Sequence, residues 1–190
     1  MMPLEASTLV GFHDGAQKPA AAALWRAIED NHRCNRLLWD EEDLARRRHA
    51  PDSEIAGNKR AIDRYNQQRN DAIERVDEQL FEFFFGKTPA EERARLSSET
   101  PGAMIDRLSI LSLKIRSMRL QTERTDVDRA HVDECIRKLN RLNEQRTDLA
   151  ACLDRLLAEC ARGESRFKIY RQFKMYNDPN LNPAVYGEKR

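Results

Sequence analysis

The sequence has little glycine, little proline and no excess of charge of either sign. Seven Gly and seven Pro in 190 residues sit nearly all at the ends or between periodic segments, as expected of a mainly helical chain. Lys and Arg number 33 against 32 Asp and Glu, a formal net charge of +1. A general nucleic-acid binder is usually far more lopsided, so that class is set aside. Cys34, Cys135, Cys152 and Cys160 show no C-x-x-C spacing and fall inside predicted helices. They read as reduced, buried thiols of a cytoplasmic protein. The longest wholly apolar run, Ala20–Trp25, is far too short to span a bilayer. The opening MMPLEASTLVGF lacks a basic n-region and a long apolar h-region, so no signal peptide is expected. There is no H-E-x-x-H, no Gly-rich phosphate loop and no G-x-S-x-G. No metal, cofactor or covalent nucleophile is therefore expected.

What is present is helical periodicity with polar interruptions. One helix is predicted from about Pro19 to Arg48, with a seam of Trp25, Ile28, His32, Asn35 and Trp39. A second runs from the cap Pro51-Asp52-Ser53 to about Phe85, with a seam of Ile62, Asn66, Arg69, Ile73, Val76, Leu80 and Phe83. Thr88-Pro89-Ala90-Glu91 fits a capping box in the connector that follows. Thr100-Pro101 opens a third helix, which ends near Glu123. Thr125 or Asp126 caps a fourth, closed by Gly163, with a seam of Ile136, Leu139, Asn143, Arg146, Ala150, Leu153 and Leu157. Residues 64–80 match 141–157 without a gap at an offset of 77, with seven of seventeen positions identical. Asn66/Asn143 and Arg69/Arg146 are among those identities.

These features predict an all-α fold: an up-down four-helix bundle of two pseudo-repeated helical hairpins, with a short C-terminal basic helix and a docked irregular tail. Residues 1–18 form an extension, 19–187 one helical domain, and 188–190 a disordered end. Within the domain, hairpin one spans 19–86, the connector 87–99, hairpin two 100–163, and the C-terminal helix and tail 164–187. The helix midpoints then share one height. This places His32, Asn35, Asn66, Arg69, Ser109, Ser112, Asn143 and Arg146 in a single polar layer. A buried guanidinium without a partner is costly, so each Arg calls for a carboxylate, a polar network or an anion.

The third helix, AMIDRLSILSLKI (103–115), has apolar residues on every side and should be central. Arg107 and Lys114 lie within about 20° of each other on it. Either they close an internal ion network with Asp106, or they present positive charge to an anionic ligand. Asp106 is the expected counter-ion for Arg69 or Arg146, and the first candidate for an acid or base. The segment SRFKIYRQFKMY alternates basic and aromatic residues, and Tyr170, Arg171, Lys174, Tyr176, Asn177 and Asp178 are candidate ligand contacts. An aromatic face packed on the bundle accounts for that pattern equally well. The Asn/Pro-rich tail, with anchors Leu181, Val185 and Tyr186, is expected to dock over a site. Glu29-x-x-His32 and Asp128-x-x-His131 match half of a di-iron spacing, but His131 falls far from mid-height, so no such site is expected.

The blocks SSETPGAMIDRLSILSLKI (97–115) and YRQFKMYNDPNLNPAVYG (170–187), with RAIDRYNQQRNDAIERVDEQL (60–80), carry a family resemblance. The chain resembles, over about residues 20 to 187, the bacterial domain-of-unknown-function family four-two-five-four. The D-R-L-S-I-L-x-L-K-I core is also similar to a motif of another helical family found beside glycosyltransferases. The resemblance implies an all-helical fold and an association with lipopolysaccharide or other surface-glycan assembly, without an established activity. It covers Glu99, Thr100, Pro101, Gly102, Asp106, Arg107 and Lys114 in the first block. In the second it covers Tyr170, Arg171, Lys174, Tyr176, Asn177, Asp178, Pro179, Asn182, Pro183 and Tyr186. Arg116 and Ser117 depart from the pattern, where an aromatic and a His are expected.

The functional expectation is a binding or accessory protein holding an anionic group such as a sugar phosphate or nucleotide-sugar. The alternatives are an enzyme acting on such a ligand, or a scaffold pairing with a glycosyltransferase or with itself.

Overall fold

The computed structural model describes residues 2–16, 23–86, 92–173, 175 and 178–187. Among these residues the regular structure is helical apart from two short strands. The elements in order are α1 (Ala6–His13), α2 (Ala23–Leu44), α3 (Asp52–Phe85), β1 (Arg95–Leu96), α4 (Pro101–Thr122), α5 (Arg129–Ala161), β2 (Ser165–Arg166) and α6 (Pro183–Tyr186). The expected starts at Pro19 and over Thr88–Glu91, and the end at 188–190, lie outside the described residues.

Local chemistry explains the helix ends. Pro101 takes the first position of α4, and the Thr100 hydroxyl accepts from the Ala103 N–H at 3.2 Å. At α5 the cap is Asp128, beyond both expected positions, Thr125 and Asp126, accepting from the His131 N–H at 2.8 Å. Beyond Ala161, Gly163 adopts φ 72°, a left-handed conformation that favours glycine.

α2 packs chiefly on α3 and α4 chiefly on α5, and each pair is joined by a short connection. α4 touches α1, α2, α3 and α5. That central position explains its lack of a wide polar face: the consecutive residues Met104, Ile105 and Asp106 are all buried, about 200° of its circumference. Gly102 marks the closest approach, since a Cβ there would lie 2.7 Å from the Ile73 carbonyl oxygen on α3. Its N–H donates to the buried Asp77 carboxylate at 2.6 Å. The core gathers at this end of the molecule, around Leu9, Ile28, Val76, Leu80, Leu108, Leu153, Leu157 and Phe167. Burying each such aliphatic side chain is worth about 1.5–3 kcal/mol. At the other end the seams are not covered: no residue of α5 between Cys135 and Leu149 is buried.

Several expectations need correction. The N-terminal stretch read as an extension carries α1, whose Leu9 is fully buried and whose Ala6 N–H donates to Asp154 at 2.8 Å. The basic segment expected as a short helix is extended instead. β2 pairs in parallel with β1, Arg95 opposite Ser165, and the described residues from Phe167 to Phe173 form no helix. A period of two lets Phe167 reach the Phe81 and Phe85 rings, at centroid distances of 6.0 and 5.6 Å, while Lys168 stays exposed. Seam residues Phe83 and Ile136 are exposed, and Cys152 is an exposed thiol.

Candidate functional site

α2 and α4 run side by side in the same direction, since His32 and Asn35 face Ser109 and Asp106 while Trp39 and Asp43 lie with Ser117 and Leu120. Between them the predicted polar residues form a buried network. The Asp106 carboxylate accepts from the side-chain amides of Asn31 at 2.8 Å and Asn35 at 2.9 Å. Asn35 also donates to the Ser109 hydroxyl at 3.0 Å, and His32 Nδ1 lies 2.8 Å from that same oxygen. The Ser109–His32 bond serves either tautomer of the neutral ring, since the hydroxyl can donate to a bare Nδ1 or accept from a protonated one. Among the described residues Nε2 has no protein partner, and His32 lines an open cleft.

That cleft measures about 590 Å³ and lies between α1, α2 and the middle of α4. Phe12, His13 and Asp14 form one wall; Glu29, His32, Arg33 and Arg36 of α2 form the second; Ser112, Arg116 and Arg119 of α4 form the third. The His13 ring stacks on His32 with centroids 4.8 Å apart. It is 7% exposed, and among the described residues neither ring nitrogen has a hydrogen-bond partner. Burial drives the His13 imidazole from 6.5 down to about 3, helped by the nearby His32 and Arg146. Burial likewise takes His32 down to about 4; the Arg36 charge adds to this and Asp14 opposes it. Both rings are neutral at pH 7. Arg33 is held by Asp30 at 3.1 Å. Arg36, Arg116 and Arg119 form no ion pair among the described residues, so the cleft carries net positive charge at that end.

The other predicted site residues are distributed around this centre. Arg146 Nη1 donates to both carboxylate oxygens of Asp14, at 2.8 and 2.9 Å, and Nη2 donates to Asn143 at 3.4 Å. Asp106 is thus not its counter-ion: the Asn31 and Asn35 amides already occupy that carboxylate, and α1 brings Asp14 to the guanidinium. Arg69 is not paired with Asp106 either. It is half-buried on α3 with its Nε sealed and without a partner, and Asn66 is half-buried one turn earlier. Arg107 is exposed and paired with Glu99 at 2.5 Å. Lys114 is exposed on a groove that it shares with Arg107 and Cys152, away from the histidines. Arg171 is clamped by Glu74 at 2.5 Å and by Glu78, and the Gln172 N–H donates to Glu74, so this segment is fastened to α3. Tyr170 is exposed, and Asp178 caps a turn by accepting from the Asn180 N–H at 2.8 Å. Lys174, Tyr176 and Asn177 lie outside the described residues. No described residue of the tail lines the cleft, which is walled by α1 instead.

Sequence reasoning passed over His13, Asp14, Asn31, Arg36, Arg116 and Arg119. A usable signal existed for two stripes: Glu29, His32 and Arg36 share one face of α2, and Ser109, Ser112, Arg116 and Arg119 share one face of α4. No comparable signal marked His13, because α1 is too short for its period to register.

Fold and cleft together define an all-helical protein with a preformed cleft lined by arginine and neutral histidine. The family described as Protein of unknown function (DUF4254) matches residues 25–169, and the chain belongs to that family. The match covers the α2 and α4 walls of the cleft; α1 lies before it. No curated protein and no solved structure matches the chain. None of the described helices is long and apolar enough to cross a membrane.

Proposed function

We propose that this protein binds an anionic, sugar-phosphate-like ligand in the cleft between α1, α2 and α4. One observation carries the reading: Arg36, Arg116 and Arg119, none engaged by a described carboxylate, converge on a cleft that also holds a buried histidine with both nitrogens unpartnered. Guanidinium groups recognise phosphate oxygens through paired N–H donors. The cleft volume falls within the range of roughly 300–1,000 Å³ typical of small-molecule sites. The site expected around Arg69, Arg146, Arg107 and Lys114 moves accordingly, since Arg146 and Arg107 already have carboxylate partners. In the same reading the protein works in the bacterial cytoplasm, in lipopolysaccharide or surface-glycan assembly, as an accessory to a glycosyltransferase or as a homo-oligomer. The two helical pairs are read as pseudo-repeated hairpins of an up-down bundle, on the strength of the match at an offset of 77.

A thermal-shift screen of sugar phosphates and nucleotide-sugars tests the assignment. A hit should raise the Tm of the wild type, and Arg116→Ala should abolish that shift while leaving the unliganded Tm nearly unchanged. A shift that survives Arg116→Ala removes the cleft from consideration.

A second reading, an enzyme acting on a nucleotide-sugar or phosphosugar, is favoured by the free Nε2 of His32. The acid–base role then passes to His32 from Asp106, which is buried behind the cleft and held by two amides. Mass spectrometry of the same incubations separates the two readings, since only an enzyme converts the ligand.

A further inference from the structure

The charges of the cleft are segregated along its length. Glu29, His32 and Arg36 follow one another on α2 at steps of three and four, and Ser112, Arg116 and Arg119 do so on α4. Because these helices run in the same direction, the three arginines gather at one end, and His13, Glu29 and His32 at the other. Seven residues of helix separate Glu29 from Arg36, or about 10 Å. Asp14, at the histidine end, is occupied by Arg146, and Arg33 by Asp30. Glu29 has neither an ion pair nor a hydrogen-bond partner among the described residues. Arg36 and Arg116 also line an adjoining groove with Asp40 and Asp43, which form no ion pair with them among the described residues.

Resting on the binding role proposed above, we infer that the cleft takes a sugar monophosphate lengthwise, phosphate at Arg36, Arg116 and Arg119 and ring hydroxyls at Glu29 and His32. The division follows from what each group can do. A carboxylate only accepts hydrogen bonds, so Glu29 suits hydroxyl protons and repels a second phosphate. The neutral His32 ring, whose Nε2 has no partner among the described residues, donates to a hydroxyl oxygen in one tautomer and accepts a hydroxyl proton in the other. Phe12, on the α1 wall, offers an apolar surface to a ring face. A site made only for phosphate chains has no use for a carboxylate in this position. The length suits one ring with one phosphate.

Isothermal titration calorimetry of the full chain tests this with inorganic phosphate, inorganic pyrophosphate and a panel of aldohexose 1- and 6-phosphates. The tightest hexose phosphate should bind at least tenfold better than phosphate, and pyrophosphate no better than phosphate. Glu29→Gln should bring the hexose phosphate to within about threefold of phosphate and leave phosphate itself within twofold of the wild type. Arg116→Ala should weaken both. If phosphate binds and depends on Arg116, but hexose phosphates bind no tighter or ignore Glu29→Gln, the lengthwise assignment falls and the anion site stands. If neither phosphate nor any hexose phosphate binds the wild type, both fall. Glu29 and Arg116 are exposed, and equal Tm values of the variants and wild type check that folding is unaffected.

Discussion

A buried imidazole with neither nitrogen partnered by a described residue has nowhere to place a charge, and His13 is such a ring. Unfolded, it titrates near 6.5; folded, burial holds it near 3. The unfolded chain therefore binds a proton that the folded chain refuses. The contribution of His13 to stability is complete above about pH 6.5 and is lost as pH falls toward 3. Within that window it falls by about 1.4 kcal/mol per pH unit. His32 acts in the same direction down to about pH 4, more weakly because solvent screens it. We expect His13→Phe, which keeps a ring against Phe12 and His32, to flatten the fall in urea midpoint between pH 6.5 and pH 4.5. An unchanged slope would show that His13 does not govern the acid limb. At this scale the sequence revealed His32, Asn35 and Asp106, because polar residues on an apolar seam stand out. It concealed Arg36, Arg116 and Arg119, because an arginine on a helix surface looks the same whether it faces water or another arginine across a cleft.

At the scale of elements, the α3–α4 joint is the tightest fit. Gly102 has the Ile73 carbonyl oxygen where a Cβ would go, and its N–H is held by Asp77. Burial lifts the Asp77 carboxyl to about 6, against the hydrogen bonds from Thr100 and Gly102 that favour its charge. Gly102→Ala must push α4 off α3, and overpacking of this kind costs about 1–3 kcal/mol. Chemical denaturation should find the variant less stable by that amount; an unchanged midpoint would mean the helices separate freely. The central position of α4 was legible, because a helix without a polar face has to be surrounded. The form of residues 165–173 was not. Alternating basic and aromatic residues suit a strand as well as a helix end, and β1 was too short to be recognised as a partner.

At the scale of the molecule, α1 decides the site. It packs Leu9 into the core, sets Asp14 on Arg146 and stands His13 against His32, and so walls a cleft whose other sides belong to α2 and α4. Leu9 does not line the cleft, yet Leu9→Ala should cost about 2–5 kcal/mol. It should also weaken hexose phosphate binding, as calorimetry on the folded variant would measure. Loss of stability with full affinity would mean that α1 contributes nothing to the ligand.

By itself the sequence determined the four long helices, the Thr100-Pro101 start of α4, the central place of α4, and the need of each half-buried arginine for a partner. Those follow from spacing along one chain and from the cost of burying charge. Tertiary structure alone decided which partner each group received: Asp14 for Arg146, two asparagines for Asp106, an open cleft for His32. Periodicity fixes the face a residue occupies, while the neighbour it meets depends on how separate elements pack against one another.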